Sequence, residues 1–175
     1  MQLVPETRGK KKECSIEDLG SAFKIRQMEI QDIPGVLIIE RVSFPSPWSE
    51  NIFREEIQSL LCRCLVATIN DHVVGYIDFS VVWDEIHLRN IAVHPACRKN
   101  GIASMLLTHM MVTTSNKGAQ WATLEVRRSN VGAIKLYEKF GFVLTGIRPL
   151  YYRDTREDAL IMWADLTKKP RNAEL

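Results

Sequence analysis

The sequence of 175 residues has no long hydrophobic run and no marked excess of one charge. A stretch of about 18 consecutive apolar residues is missing, so no membrane-spanning helix is predicted. The 23 basic and 21 acidic residues leave a formal net charge of +2. That balance gives no indication of binding to nucleic acid or to an anionic membrane. Any anion that this protein binds must therefore be held by a local site.

Cysteine is scarce as well, with four residues and no CxxC pair. Cys62 and Cys64 lie two apart on a strand-like run, so their side chains point the same way and are not expected to bridge each other. The opening stretch MQLVPETRGKKKE is charged and lacks the apolar segment of a secretory signal. We therefore expect reduced thiols and a cytoplasmic location.

Motifs of metal sites and of covalent catalysis are also missing. The histidines show no ligand spacing such as HExxH, so we expect no metal and interpret as structural or exposed all four: His72, His87, His94 and His109. No Ser/His/Asp or Cys/His arrangement suggests an acyl-enzyme, which favours direct transfer in any acyl-transfer reaction. The sequence has no internal repeat and no low-complexity segment.

The length and apolar content that are present predict one domain at residues 21–166, with flexible tails at 1–20 and 167–175. Hydrophobic periodicity predicts the order β, α, α, three strands, α, β, α, β, β. A helix between consecutive strands predicts parallel pairing at that point. We therefore predict an α/β fold, with a mixed sheet and helices on both faces.

The element bounds follow from the same periodicity. The predicted strands are Phe23–Met28, Cys62–Ile69, His72–Trp83, Leu88–Val93, Gln120–Arg127, Phe142–Tyr151 and Ala159–Asp165. The predicted helices are Gln31–Val42, Glu50–Leu60 with Ser49 as N-cap, one that follows Gly101, and one that Ser129 or Asn130 caps and Gly141 ends. Asn70-Asp71 is predicted to form a hairpin turn.

The stretch LRNIAVHPACRKNGIASMLL, from Leu88 to Leu107, is typical of a strand, a turn and a helix. Pro95 ends the strand because it has no amide for the ladder. The start of a helix has unpaired N–H groups and a positive dipole end, which together suit an anion. Gly101 lets a phosphate approach the backbone without a Cβ in the way, and Ala103 keeps the next contact small. An ordinary strand-to-helix turn remains the alternative.

Three motifs together, LRNIAVHPACRKNGIASMLL, LEVRRSNVGAIKLYEKFGF and FPSPWSE, resemble those of the GNAT superfamily of acetyl-CoA-dependent N-acetyltransferases. Within it, LEVR-x-SN-x-x-A-x-x-LYE-x-x-GF and YY-x-x-x-x-EDALIM are similar to the ribosomal-protein-alanine acetyltransferases of the RimI type. The resemblance covers about residues 23–166. It implies the GNAT fold, with a mostly antiparallel central sheet of about seven strands, and acetyl-CoA as cosubstrate.

The resemblance also implies roles for individual residues. Backbone groups of Ile91, Ala92 and Val93 would meet the pantetheine arm and the thioester. The pyrophosphate would be wrapped by Arg98, Lys99, Asn100, Gly101, Ile102, Ala103 and Ser104. Glu125 falls on the general base, Tyr137 on the general acid beside the cofactor, and Asn130 would contact the cofactor arm. Pro149-Leu150 departs from the more basic sequence expected there, which bears on peptide specificity.

Acetyl transfer to an amine explains these residue types. A free α-amine has a pKa of roughly 7.7–8.0, so a carboxylate such as Glu125 must take its proton, directly or through one water. An amide near Ile91 to Val93, left unpaired by a splayed or bulged strand, would stabilise the oxyanion. A phenol such as Tyr137 can protonate the leaving thiolate. Each residue also has a purely structural alternative: Glu125 faces solvent, Tyr137 and Trp48 pack in the core, and Asn130 is an N-cap.

The resemblance thus implies an N-α-acetyltransferase that acts on a protein N-terminus, an alanine of a small-subunit ribosomal protein, and we expect neither nucleic acid nor membrane as partner. Two alternatives stay open. One is an acetyltransferase of a small-molecule amine or of protein lysine, and the other is a coenzyme A-binding module without turnover. The presence of both Glu125 and Tyr137 argues against the module.

Overall fold

A computed structural model describes residues 22–168, and the elements follow the predicted order. Seven strands and four α-helices are formed: β1 (Phe23–Gln27), α1 (Ile33–Ser43), α2 (Glu50–Gln58), β2 (Cys62–Ile69), β3 (His72–Val82), β4 (Glu85–Val93), α3 (Ile102–Ser115), β5 (Trp121–Arg127), α4 (Val131–Lys139), β6 (Val143–Tyr152) and β7 (Glu157–Asp165). The predicted tail at 1–20 and most of that at 167–175 lie outside the described residues.

Local turn and cap chemistry sets several of these bounds. Ser49 accepts the N–H of Ile52 and caps α2, as predicted. Asn70 and Asp71 form the β2–β3 turn with φ of +48° and +63°, a conformation that Asn and Asp tolerate. The predicted third strand ran one residue too far, because Trp83 turns with φ of +59° and lets β4 begin early, at Glu85.

The strands form one sheet in the order β1-β2-β3-β4-β5-β7-β6. Among the described strands only β4 and β5 pair in parallel, so the predicted mixed, mostly antiparallel sheet is confirmed. Our rule that an intervening helix implies parallel pairing was wrong at two places. Between β1 and β2, two helices return the chain to the end at which β1 finishes, so the pair is antiparallel. After α4, β7 lies between β5 and β6, so those two strands do not pair.

The β4–β5 pairing is short. Only Glu85–Leu88 lies in register with Trp121–Leu124. At Arg89 an extra residue stands between the β3 partners Asp78 and Phe79, which is a β-bulge. Beyond Leu88 the two strands are no longer in register, and a wedge opens between them.

Two apolar clusters cover the two faces of the sheet, as predicted. One includes Leu88, Leu106, Leu124 and Tyr137 and joins the sheet to α3 and α4. The other, under α1 and α2, is built around Val36, Ile39, Phe53, Val66 and Tyr76. Across residues 22–168, the helices are all too short or too polar to span a bilayer. Members of both clusters, among them Leu88, Ala92 and Leu124, also line the wedge.

Candidate active site

A cleft of about 1200 Å³ occupies the wedge between β4 and β5. Its walls come from the second half of β4, the loop before α3, the end of β5, α4, the α1–α2 loop and residues 151–154. Every site residue predicted from the sequence lines this cleft except Asn100, which is half-buried in the loop before α3. Distant segments of the chain therefore meet at one place.

The loop before α3 has an open backbone side. Gly101 caps the helix with φ of +77°, and a Cβ built on it would meet no atom within 4 Å. Lys99 also has positive φ, at +66°. Because α3 spans 14 residues, its first amides provide the positive end of a full helix dipole. The loop therefore suits a diphosphate that approaches along the backbone.

Arg98 supports this loop from behind. Its Nε donates to the carbonyl of Val93 at 3.0 Å, and its Nη2 donates to Ser43 Oγ at 3.0 Å. Gly75 allows close packing on the other side, since a Cβ there would lie 3.2 Å from both Ala92 O and Ile102 Cγ2. These contacts fix the start of α3 against β4 and α1, and the Arg98 side chain is engaged with protein atoms.

Glu125 extends from β5 with its side chain 12% exposed, and an imidazole and a guanidinium reach its carboxylate. His87 Nε2 lies 2.7 Å from Oε2, and Arg148 Nη1 lies 3.2 Å from Oε1. The hydrogen bond from His87 is the largest cause of a lowered pKa at Glu125, and burial opposes it. Glu125 is therefore ionised at neutral pH and able to accept a proton.

Tyr137 lies on the buried side of α4, with its ring 5.8 Å from that of Phe142. Burial raises the pKa of the phenol far above its usual value, so the phenol keeps its proton at neutral pH. Core packing and exposure to the cleft coexist at this residue. The same is true of Trp48, which packs on Phe53 and also lines the cleft.

Three further residues near Glu125 were missed at the sequence level. His87 and Arg148 hold the carboxylate, and the phenol of Tyr152 lines the cleft and donates to the Glu125 carbonyl at 3.4 Å. Burial is the main reason why the pKa of Tyr152 rises to about 12. The His87 side chain is 42% exposed, which agrees with its interpretation as structural or exposed. Its contact with Glu125 was not predictable, because the two residues lie 38 positions apart and only strand register brings them together.

The two loops at the mouth of the cleft touch each other. Ser46 of the α1–α2 loop donates to Asp154 Oδ2 at 2.9 Å, and Arg127 binds the same carboxylate from β5. The hydrogen bond from Arg127 is the main reason why the pKa of Asp154 falls to about 2. The mouth is therefore bounded by an ion pair that stays charged at neutral pH.

Buried acids lie beneath the cleft on the α1 side. Glu40 accepts from Tyr76 Oη at 2.7 Å and from Asn90 Nδ2 at 2.5 Å, and burial raises its pKa. Asp78 accepts from the thiol of Cys64 at 2.9 Å, and burial raises its pKa to about 6. Glu40 ties α1 to the bulged part of β4 and thereby helps to shape the wedge.

Comparison with known proteins identifies the fold and the chemistry. Residues 33–142 match the model of the acetyltransferase (GNAT) family, which is more than half of the chain. The chain belongs to the GNAT acetyltransferase family. It is therefore an N-acetyltransferase, and GNAT enzymes use acetyl-CoA.

Similar GNAT enzymes match nearly end to end. The putative ribosomal protein bS18-alanine N-acetyltransferase of Bacillus subtilis is 37% identical over 82% of this chain and 96% of its own length. The bS18-alanine N-acetyltransferase of Escherichia coli K12 is 38% identical over 79% of this chain and 94% of its own. The crystal structure of the E. coli S18-alanine enzyme has a TM-score of 0.77 at 35% identity and covers 87% of this chain and 99% of that one.

Proposed function

We propose that this GNAT enzyme acetylates the α-amine of an N-terminal alanine on a small-subunit ribosomal protein in the cytoplasm. The B. subtilis and E. coli relatives are named for that reaction on bS18. The observation that carries the proposal is the meeting, in one cleft, of an ionised Glu125 and a protonated Tyr137 beside an open helix-start loop. The partner is a protein N-terminus, and neither nucleic acid nor a membrane is part of the proposal.

Acetyl-CoA fits the described residues and would supply an activated acetyl thioester. The open backbone around Gly101 has room for the diphosphate, whose oxygens would accept from the amides of residues 99–104. The free edge of Ile91–Val93 would bind the pantetheine arm. Asn130 caps α4 through its side chain and lines the cleft, so it would meet the same arm by its exposed atoms.

This proposal assigns a residue to each proton transfer of the reaction. Glu125 would take the proton of the incoming α-amine, directly or through one water. A backbone N–H on the bulged part of β4 would donate to the acetyl oxygen as negative charge builds there. Tyr137 would give its proton to the departing sulfur. Tyr152 is less available for that step, because its hydroxyl already donates to a carbonyl.

A peptide acetylation assay tests the proposal. The peptides would carry a free N-terminal alanine, or the same sequence with a blocked α-amine and an internal lysine, and mass spectrometry would locate the product. We expect acetylation at the α-amine alone. In Glu125→Gln, kcat should fall about 10²- to 10⁴-fold, with coenzyme A affinity by calorimetry unchanged.

Two results would contradict it. Acetylation of lysine or of small amines, with none at α-amines, would reject the substrate class. Full activity of Glu125→Gln would reject the assigned base while leaving the substrate class intact.

A further inference from the structure

His87 contacts the carboxylate of Glu125 from outside the cleft. It is the third residue of β4 and is not among the residues that line the cleft wall, whereas Glu125 is. Its side chain is 42% exposed, and its Nε2 stands 2.7 Å from Oε2. Because an ionised carboxylate can only accept, the ring nitrogen is the donor.

Strand pairing fixes the place of His87. On one side Ser80 of β3 lies opposite it, and on the other side Thr123 of β5 does. The β4–β5 register ends one residue later, at Leu88, so His87 belongs to the last paired stretch before the wedge. The ring therefore stands on rigid backbone while the carboxylate that it holds faces the opening.

The charged groups around His87 come from four strands and one helix. Glu85 and Arg89 lie two residues away on β4, and the Arg89 guanidinium is paired with Glu56 of α2. Asp78 lies buried two residues from Ser80 on β3. Glu125 on β5 and Arg148 on β6 complete the set. Of these groups, Glu125 is the one to which a hydrogen bond from His87 is seen.

We propose that His87 is a positioning residue for the base: it holds Oε2 of Glu125 so that Oε1 is presented to the acceptor amine. The inference rests on the proposed function, because Glu125 is the base only there. Arg148 on Oε1 is 53% exposed and reaches from an edge strand, so an incoming cationic amine can displace it. His87 is thus the fixed donor to Oε2, and Arg148 is the displaceable donor to Oε1.

This arrangement predicts an effect on turnover more than on binding. A carboxylate on a flexible side chain that loses one of two anchors samples more rotamers, and a displacement of about 1 Å can cost up to 100-fold in rate. The cleft wall that would hold coenzyme A does not include His87. Removal of the imidazole should therefore lower kcat and leave coenzyme A affinity as it is.

The test compares His87→Leu with His87→Gln, which keeps an N–H donor at similar reach, and with His72→Leu, an exposed histidine at the far end of β3, as the matched control. Two readouts are needed. The first is a carbon-13 NMR titration of the Glu125 carboxyl in the enzyme without substrate. The second is the kcat for an alanine-starting peptide.

We expect His87→Leu to raise the pKa of Glu125 and to lower kcat about tenfold or more, His87→Gln to recover most of both, and His72→Leu to resemble the parent. An unchanged titration in His87→Leu would overturn the proposal whatever happens to kcat, and so would a moved titration with full kcat. If the parent enzyme acetylates no α-amine, the proposed function fails, and the titration still tests the contact by itself.

Discussion

At the scale of single residues, the cleft contains two phenols with different surroundings. Tyr137 is buried beside Phe142, and its pKa is far above the usual value. Tyr152 donates to the Glu125 carbonyl, and the Arg127 guanidinium lies 4.0 Å from its ring centre. Both phenols are protonated at neutral pH, so protonation alone does not choose between them. The difference is that the Tyr152 hydroxyl already donates a hydrogen bond to a carbonyl, which favours Tyr137 as the acid.

Tyr137→Phe should lower kcat about 10²-fold or more, because it removes the only proton assigned to the leaving sulfur. Tyr152→Phe should keep kcat within a few-fold and lose about 1 kcal/mol of stability, the net worth of a typical hydrogen bond. Steady-state kinetics with the peptide substrate and chemical denaturation would measure the two effects. A large loss in Tyr152→Phe with an active Tyr137→Phe would transfer the acid role to Tyr152.

The sequence located Glu125 and Tyr137, because both belong to a contiguous motif on one strand and the helix after it. It missed His87 and Arg148, because these reach Glu125 across strands, and cross-strand register does not follow from local pattern. Arg98 lies in the predicted loop, and its side chain binds Val93 and Ser43, whereas its contact with the pyrophosphate stays a prediction. The place of these residues in the cleft could therefore be predicted from motif spacing, whereas the contacts that support them could not.

At the scale of elements, caps and turns were predictable because their chemistry is local. Ser49, Asn130 and the Asn70-Asp71 turn act as their residue types favour. The neighbours of β7 were not predictable, because its place between β5 and β6 depends on pairing partners far apart in the chain. The wedge itself was expected only as a splayed or bulged strand. The extra residue at Arg89 and the early end of the β4–β5 register give it its form.

The loop that begins α3 offers an element-scale prediction. Gly101→Val should weaken coenzyme A binding about tenfold or more, because the added Cβ and branches would stand in the open space that the diphosphate needs. Calorimetric titration with coenzyme A would measure it.

Backbone strain must be separated from that effect, because Gly101 has positive φ. Gly118, just after α3, has φ of +99° and the same open surroundings. Gly118→Val therefore imposes comparable strain away from the cleft. Equal loss of affinity in both variants would show that strain alone is responsible and would contradict the placement of the diphosphate.

At the scale of the whole molecule, stability depends on acids buried beneath the cleft. Asp78 is fully buried, with Oδ2 bound to the Cys64 thiol and Oδ1 without a hydrogen bond. Its pKa rises from 3.8 to about 6, so the folded state favours the protonated form. The group contributes stability that is present below about pH 4 and lost as pH rises to about 6.

Asp78→Asn should remove this dependence. The parent loses about 2 kcal/mol of stability through Asp78 between pH 4 and pH 7, and the amide does not. The free energy of unfolding of Asp78→Asn minus that of the parent should therefore rise by about 2 kcal/mol over that range, whatever constant offset the amide introduces. Urea denaturation across that range would measure the difference. Asp71→Asn makes the same chemical change in solvent and is the control. A constant difference between Asp78→Asn and the parent would show that Asp78 ionises as readily in the folded state as in the unfolded chain.

The seam between the two halves of the sheet consists of four residue pairs, Glu85–Leu88 against Trp121–Leu124. Beyond these pairs, the backbone edges of β4 and β5 face each other across a gap. A bound molecule that forms hydrogen bonds with both strand edges would extend the β4–β5 pairing and would couple the two halves of the sheet mechanically. The sheet should therefore be most flexible in the free enzyme and most rigid when a molecule is bound in the cleft. Amide hydrogen exchange at residues 89–93 should slow when the reactants bind, because their binding makes this part of the sheet rigid.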